Sequence, residues 1–532
     1  MRRHFARRRV LYGALAVLFI ALVAVSGLLM REHVVKKHKG IAKALGLLAL
    51  SSGHGIPAMA VAPTTVGINL GKTVYFVRSR AFANLVRGGT WQSRIPDYKQ
   101  LGPEFVDKDG NVKSLPGGQP LWRLLSRPNA SETEATIRCT YQGKGQLEPG
   151  LGAVQQVQFE NGGFTFHWSG DNRAEGKVQL KLSSVDPSDP IRSIDCRETT
   201  LPSSARFDPE YLAYLRGFKI LRFMDWQNTN GNLPISWATR HTSASQDIVK
   251  GDGIPIEDMI ELANQIGADP WFCMPWNADD DYIRRFAQLV HDRLPAGHRV
   301  YVELANEVWN LAFPVSRQAR QEGVAEGLAP DPNTALLFRY AERTAHVMDI
   351  WAKVFADRPD RLVRVAACQN GPGCLQRVLG FRDTAAHVDA AATAPYFGHA
   401  FTKDPPASVD EAYARMDGMI DEALGKALAA KAVAARYGKR YIAYEAGQHV
   451  VLKDVDLSQK IQRDPRMYEA YKQYLGLWRA KIGDVLTLYS SISPVSKFGS
   501  WGLSEYLGQP VTEAPKLRAV REFMGSKGEP AR

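Results

Sequence analysis

Cysteine is scarce in this chain, with five in 532 residues: Cys139, Cys196, Cys273, Cys368 and Cys374. None has metal-type spacing, and no cluster of His, Asp and Glu has ligand spacing, which argues against a metal-dependent hydrolase. In an exported protein Cys139 could pair with Cys196 and Cys368 with Cys374, leaving Cys273 free; five reduced, packed thiols are the alternative. The stretch "DKDG" lacks the oxygen pattern of a calcium loop. Position twelve from Asp107 is Gly118 instead of Glu, so the stretch reads as a turn.

Excess charge is also missing from most of the molecule. Of the net +12, residues 1–43 hold +9, from ten Lys or Arg against Glu32 alone, and only +3 is left for the rest. No basic surface of the kind that binds nucleic acid is implied. The basic residues flank "VLYGALAVLFIALVAVSGLLM", residues 10–30, an uncharged run about long enough to span a bilayer. The Arg-rich segment before it predicts a cytoplasmic N-terminus. Residues 1–30 are therefore expected to be a basic segment and transmembrane signal-anchor, with 31–62 as linker. A signal peptide starting at Met30 and cleaved after Ala60 is the alternative. Both place the rest in the cell envelope, on the periplasmic or extracellular side, or free outside.

Composition beyond the anchor is that of a globular protein, at 45% hydrophobic and 23% charged. From residue 63 a rhythm of short apolar strand, polar loop and amphipathic helix repeats. Strands are expected at 66–70, 219–224, 269–275, 299–305, 361–368, 387–395, 439–445 and 497–503. Their apolar runs lack clean alternation and read as buried on both faces. Helical patterns lie between, at 255–267, 280–294 and 410–438. Eight strands alternating with helices predict an α/β fold, a (β/α)8 TIM barrel. The gap between the first two strands is too long for a crossover. It holds period-2 runs, "ATIRCTY", "GFTFHW" and "GKVQLKL", the signature of antiparallel strands with one buried face. Residues 101–200 are expected to form a small β-sandwich inserted into a barrel of 63–100 plus 201–525, either extending a ligand groove or bracing the barrel.

Two expected strands end in a carboxylate. "YVELANEVWN" closes the fourth with Glu307, and "YIAYEAGQH" closes the seventh with Glu445. An Asn-Glu pair alone is a common helix N-cap. Two glutamates at those strand ends would face each other across the mouth where barrel active sites form. Paired carboxyls, one protonated and one ionised, are what glycosidic cleavage requires.

In this ordered set the chain resembles clan A of the retaining glycoside hydrolases. It is similar to a group of exported bacterial and fungal proteins described as cellulose-binding or cellulase-like. The likeness runs from about residue 65 to 510 and includes "GINL", "KILRFMDWQNTN", "DPWFCMPWNADDDY", "APYFG" and "YEAGQH". It implies Glu307 as acid/base, Glu445 as nucleophile and Asn306 on the sugar 2-hydroxyl. Arg222 and Tyr396 would touch the nucleophile, and Trp501, on strand eight, would floor the sugar site. Trp276, Trp226 and Trp309 are lesser stacking candidates, and Asp225, Asn228 and His449 could line the pocket. The chain departs from the clan where a His often follows strand three: here Trp276 and Asn277 stand in "MPWN".

The expectation is thus an exported, endoglucanase-like retaining hydrolase of a β-linked polysaccharide or oligosaccharide, working without a cofactor. Its membrane contact would be the N-terminal anchor, and the sequence is silent on oligomeric state. One rival is a non-catalytic glycan-binding protein on the same scaffold. Another is an envelope scaffold that works through its sandwich.

Overall fold

Eight short parallel strands close on themselves in the order in which the chain supplies them. They are β1 (Thr65–Asn69), β2 (Ile220–Arg222), β3 (Asp269–Met274), β4 (Val300–Leu304), β5 (Leu362–Cys368), β6 (Ala390–Thr393), β7 (Arg440–Ala443) and β8 (Val485–Leu488). β8 returns to β1 in parallel register, Thr65 facing Val485 and Ile68 facing Leu488. This computed structural model describes residues 61–93, 101–126, 134–150, 153–169 and 177–525. The apolar run at 10–30, and with it the anchor and signal-peptide readings, lies outside the described residues. Among the described residues no helix is long and apolar enough to cross a membrane.

The strands lack alternation because both their faces are buried. One set of side chains fills the barrel interior, led by Trp271, Tyr301, Val363, Ala390, Ala392, Ile442 and Tyr444. The rings of Trp271 and Tyr301 stack with centroids 5.2 Å apart, and the small alanines of β6 leave room for them. The other set packs against the helices in a larger, separate core. Helices form where expected, at Ile256–Ile266, Asp280–Arg293 and Val409–Arg436. Asp279 and Ser408 cap two of them by accepting backbone N–H bonds from Tyr282 and Glu411.

The eighth strand is not where the sequence suggests it. "VLTL" at Val485–Leu488 closes the barrel, and residues 497–503 form part of the loop that follows. Gly499 sits at φ 157° and Gly502 packs directly on the backbone of Ser493 and Ser504. Glycines used for bending and close approach resemble strand punctuation in the sequence.

Between β1 and β2 the chain builds two four-stranded antiparallel sheets. One runs Trp91–Ser93, Leu121–Leu124, Gln179–Val185, Gly145–Gly150, and the other Val154–Glu160, Gly163–Trp168, Ala135–Gln142, Arg192–Glu198. The alternating residues meet inside: Phe164, Phe166, Trp168, Val178, Leu180 and Leu182 share one core with Ile137 and Leu121. Cys139 and Cys196 face each other on neighbouring strands and form a disulfide. A second joins Cys368, at the end of β5, to Cys374, and Cys273 stays free and buried. "DKDG" is a turn, with Asp107 accepting backbone N–H bonds from Asp109 and Asn111.

The inserted region is fastened to the barrel by buried cations. Arg87 donates to Asp258 on the helix Ile256–Ile266 at 2.6 Å, and Arg206 holds both oxygens of the same carboxylate. Arg123, fully buried, donates to the carbonyls of Val86 and Gln246. Desolvation pushes the pKa of Arg87 and of Arg123 down to about 10. Removing Asp258 would leave Arg87 buried without its counter-charge. Asp258→Ala is expected to cost about 3–5 kcal/mol of folding stability, read by urea unfolding. Arg284→Ala, which removes only an exposed pair with Asp281, should cost less than about 1 kcal/mol.

Candidate active site

The C-terminal ends of the strands gather a ring of polar groups around one cation. Arg222 ends β2 fully buried. Its Nη1 donates to Asn69 Oδ1 on β1 and to Glu445 Oε1, both at 2.7 Å. Its Nη2 donates to Asn306 Oδ1 at 2.8 Å and to Glu303 on β4. Burial opposes the guanidinium charge, but the Glu303 and Glu445 carboxylates leave its pKa well above the ordinary arginine value. The ring of Tyr444 lies 5.0 Å from the guanidinium carbon.

Glu445 follows β7 by two residues and is nearly buried. Its second oxygen accepts from Tyr396 Oη at 2.9 Å. A two-residue extension beyond the barrel makes this contact: Tyr396–Phe397 pairs in parallel with Gly447–Gln448. Glu307 lies three residues past β4 and is held differently. Asn310 Nδ2 donates to one oxygen at 2.8 Å and Tyr444 Oη to the other at 3.3 Å. Among the described residues no cation touches it. Its backbone, with that of Ala305, is left-handed, at φ 44° and 54°, a strained setting for non-glycine residues that clusters at functional sites.

Burial raises both carboxyl pKa values, and at Glu445 the neighbouring Glu307 adds to the effect. In such a pair the titration belongs to the two groups together. Hydrogen bonding decides where a shared proton resides. Glu445 accepts from a guanidinium and a phenol, and both stabilise an anion; Glu307 has only neutral partners. The charge therefore rests on Glu445 and the proton on Glu307.

The other expected residues divide in two. Asn306 joins the site, accepting from Arg222 and donating to Asn230 Oδ1 at 3.1 Å. Trp309 donates its indole N–H to Tyr444 Oη at 3.3 Å, beside Glu307. Asp225 accepts from Tyr489 Oη at 3.2 Å. Trp501 reaches the site from the loop after β8, and its N–H donates to His449 Nδ1 at 3.3 Å. His449 packs against Tyr396 and His399 and is pushed down to about 4, mainly by burial, so it is neutral. Trp226 and Trp276 offer no ring face for stacking. Trp226 is 1% exposed, packed against Phe82, Tyr211 and Phe223, and donates to Gly71 O. Trp276 is 2% exposed and bonded to Glu322 under the Arg343 guanidinium. Asn228 serves its own loop, donating to Gly251 O.

Sequence reading missed several members. Glu303 is fully buried between Arg222, the indole N–H of Trp271 and the Cys273 thiol. Its signal is a charge inside the apolar run "VYVEL". Asn69 is the same kind of intrusion in "VGINL", and Tyr444 stands beside Glu445 in the sequence while its hydroxyl donates to Glu307.

No protein-family model matches the chain, and no curated protein matches it. Among solved structures it is similar to the GH51 arabinofuranosidase from Xanthomonas axonopodis pv. citri, at 12% identity and TM-score 0.36, covering 56% of this chain and 62% of that one. It is also similar to the beta-glucosidase from Thermotoga maritima, at 12% identity and TM-score 0.35, covering 60% and 86%. A third is the 4-O-alpha-L-rhamnosyl-beta-D-glucuronidase from Fusarium oxysporum 12S, at 12% and 0.39, covering 60% and 64%. The chain thus spans just under two thirds of the arabinofuranosidase and glucuronidase chains.

Both site carboxyls titrate above the ordinary 4.5, so the folded protein keeps protons that the unfolded chain has released. Their contribution to stability therefore falls as pH rises above about 4.5. Urea unfolding across that window should show a shallower loss for Glu445→Gln than for wild type. Removing the neighbouring charge should also lower the pKa of Glu307 in that variant, read by carboxyl-edited infrared titration.

Proposed function

We propose that the protein is a retaining glycoside hydrolase acting on a β-linked polysaccharide or oligosaccharide. The observation that carries this reading is the unequal pair at the mouth of the barrel. One buried glutamate is held anionic by Arg222 and Tyr396, and the other is held by neutral donors alone. Glu307 donates its proton to the glycosidic oxygen as that bond breaks, and Glu445 attacks the anomeric carbon. The resulting glycosyl ester is hydrolysed by water, whose proton returns to Glu307 as the sugar–Glu445 bond breaks. Asn306, fixed by Arg222, is placed to meet the sugar 2-hydroxyl. Trp501 and Tyr489, with ring centroids 5.7 Å apart, border the site of the ring being transferred.

We place the protein outside the cytoplasm. Two disulfides support that location, as do the apolar run and its basic flanks. Whether the N-terminus is an anchor or is removed near Ala60 is decided by N-terminal sequencing of the membrane and soluble fractions.

A panel of β-glucans, mannans and xylans tests the activity. Glu445→Gln and Glu307→Gln are expected to lose at least about a thousand-fold in kcat on whichever polymer is cleaved, with unchanged circular dichroism. Proton NMR of the first product should show the retained anomer. For Glu307→Ala, azide should restore turnover of an aryl glycoside with a good leaving group, because azide needs no general base. Binding without cleavage, equal in wild type and both variants, would identify a glycan-binding barrel instead.

A further inference from the structure

We propose that a cavity beside Glu307 is a subsite for an anionic sugar unit on the leaving-group side of the bond. The placement rests on the glycosidase reading above, because the proton donor marks the side from which the leaving oxygen departs. The cavity measures about 520 Å³, within the range of about 300–1,000 Å³ usual for ligand sites. Its walls come from the segment after β4, the loop after β5 and the first turns of the helix Pro332–Val354, with Lys426 reaching it from the helix Val409–Arg436. Trp309 lines it and links it to the acid, since Tyr444 accepts from that indole and donates to Glu307.

The lining selects charge. Arg377 and Lys426 both border the cavity, and among the described residues no Asp or Glu does. The helix Pro372–Leu379 starts in its wall, and its N-cap, Gly371, makes no side-chain capping bond. The positive end of that helix therefore adds to the two cations. Two neighbouring acids are weak competitors. Glu422 meets Lys426 at 2.7 Å with both side chains more than half exposed, where an ion pair is worth little. Asp331 is engaged in capping the helix Pro332–Val354 through Thr334. Trp309 and the exposed Leu311 supply apolar surface for a sugar face. The Cys368–Cys374 disulfide pins the backbone of the wall that carries Arg377 to the end of β5.

Calorimetry with the whole protein tests the subsite directly. The probes are three β-linked oligosaccharides of equal length: one neutral, one containing glucuronic acid and one carrying sulfate esters. At low salt the acidic probes should bind about ten-fold more tightly than the neutral one. That preference should vanish in about 1 M salt, where the Debye length is about 3 Å, and in Arg377→Ala/Lys426→Ala. Whichever acidic probe binds more tightly shows whether carboxylate or sulfate is the ligand group. Equal affinity for all three, or a preference that survives the double variant, overturns the subsite. The leaving-group placement has its own readout. Across substrates sharing the same transferred sugar, the ratio of kcat/KM for acidic over neutral leaving units should fall about ten-fold in the double variant. An unchanged ratio overturns the placement. A charge preference in binding with no cleavage by wild type would remove the glycosidase reading and leave an anion-binding cavity.

Discussion

One buried guanidinium organises the open end of this barrel. Arg222 reaches acceptors on β1, on β4, just beyond β4 and just beyond β7, and so ties opposite sides of the strand circle to a single charge. Such a group is stable away from water only if its surroundings answer it. Two carboxylates do so, and each takes its own place from the bargain. Glu303 is locked beneath it and Glu445 is presented at the surface of the site. The asymmetry between Glu445 and Glu307 is therefore inherited: whichever carboxyl lies nearer this cation carries the charge. Without Arg222 the pair would differ only in its neutral hydrogen-bond partners.

Much of this architecture is legible in the residues themselves. Seven of the eight strands are continuous apolar runs of the length a two-sided burial demands, and the sandwich strands announce themselves by alternation. The two glutamates stand out because each ends such a run. What is not legible has physical reasons. "VLTL" has only four residues and follows a helix that is itself rich in apolar side chains, with only Gly483 and Asp484 to mark the boundary. "KFGSWGL" carries the composition of a strand because its glycines permit bends and close packing. Trp226 and Trp276 share the chemistry of a sugar platform and differ from Trp501 only in what surrounds them. Exposure is a tertiary property, and spacing does not encode it. Glu303 and Asn69 are visible as polar intrusions, but their partner, Arg222, lies on another strand altogether.

The tyrosines around the pair act as a second layer of placement. Tyr396 addresses the anion and Tyr444 the acid, and burial keeps both phenols protonated, with pKa values raised well above their usual range. Each can therefore donate at any pH where the protein is folded. Lys516 and Gln448 add a further tether, both donating to the carbonyl of Ser500 at 2.7 Å, one residue before Trp501.

The inserted sandwich also bears on how the chain finds its fold. β1 and β2 are neighbours in the barrel, yet about 150 residues separate them. The two connecting legs meet at a bridge between Phe82 and Phe207, reinforced by hydrogen bonds from Ala83 to Arg206 and from Asp208 to Ala81. Once the sandwich has closed on its own hairpins and that bridge is made, β1 and β2 are joined by roughly 26 residues of effective loop. The entropy of bringing them together then drops by about 1.5 kcal/mol. The insertion shortens the barrel's longest connection, and a chain emerging in sequence order has its sandwich complete before β2 needs its partner.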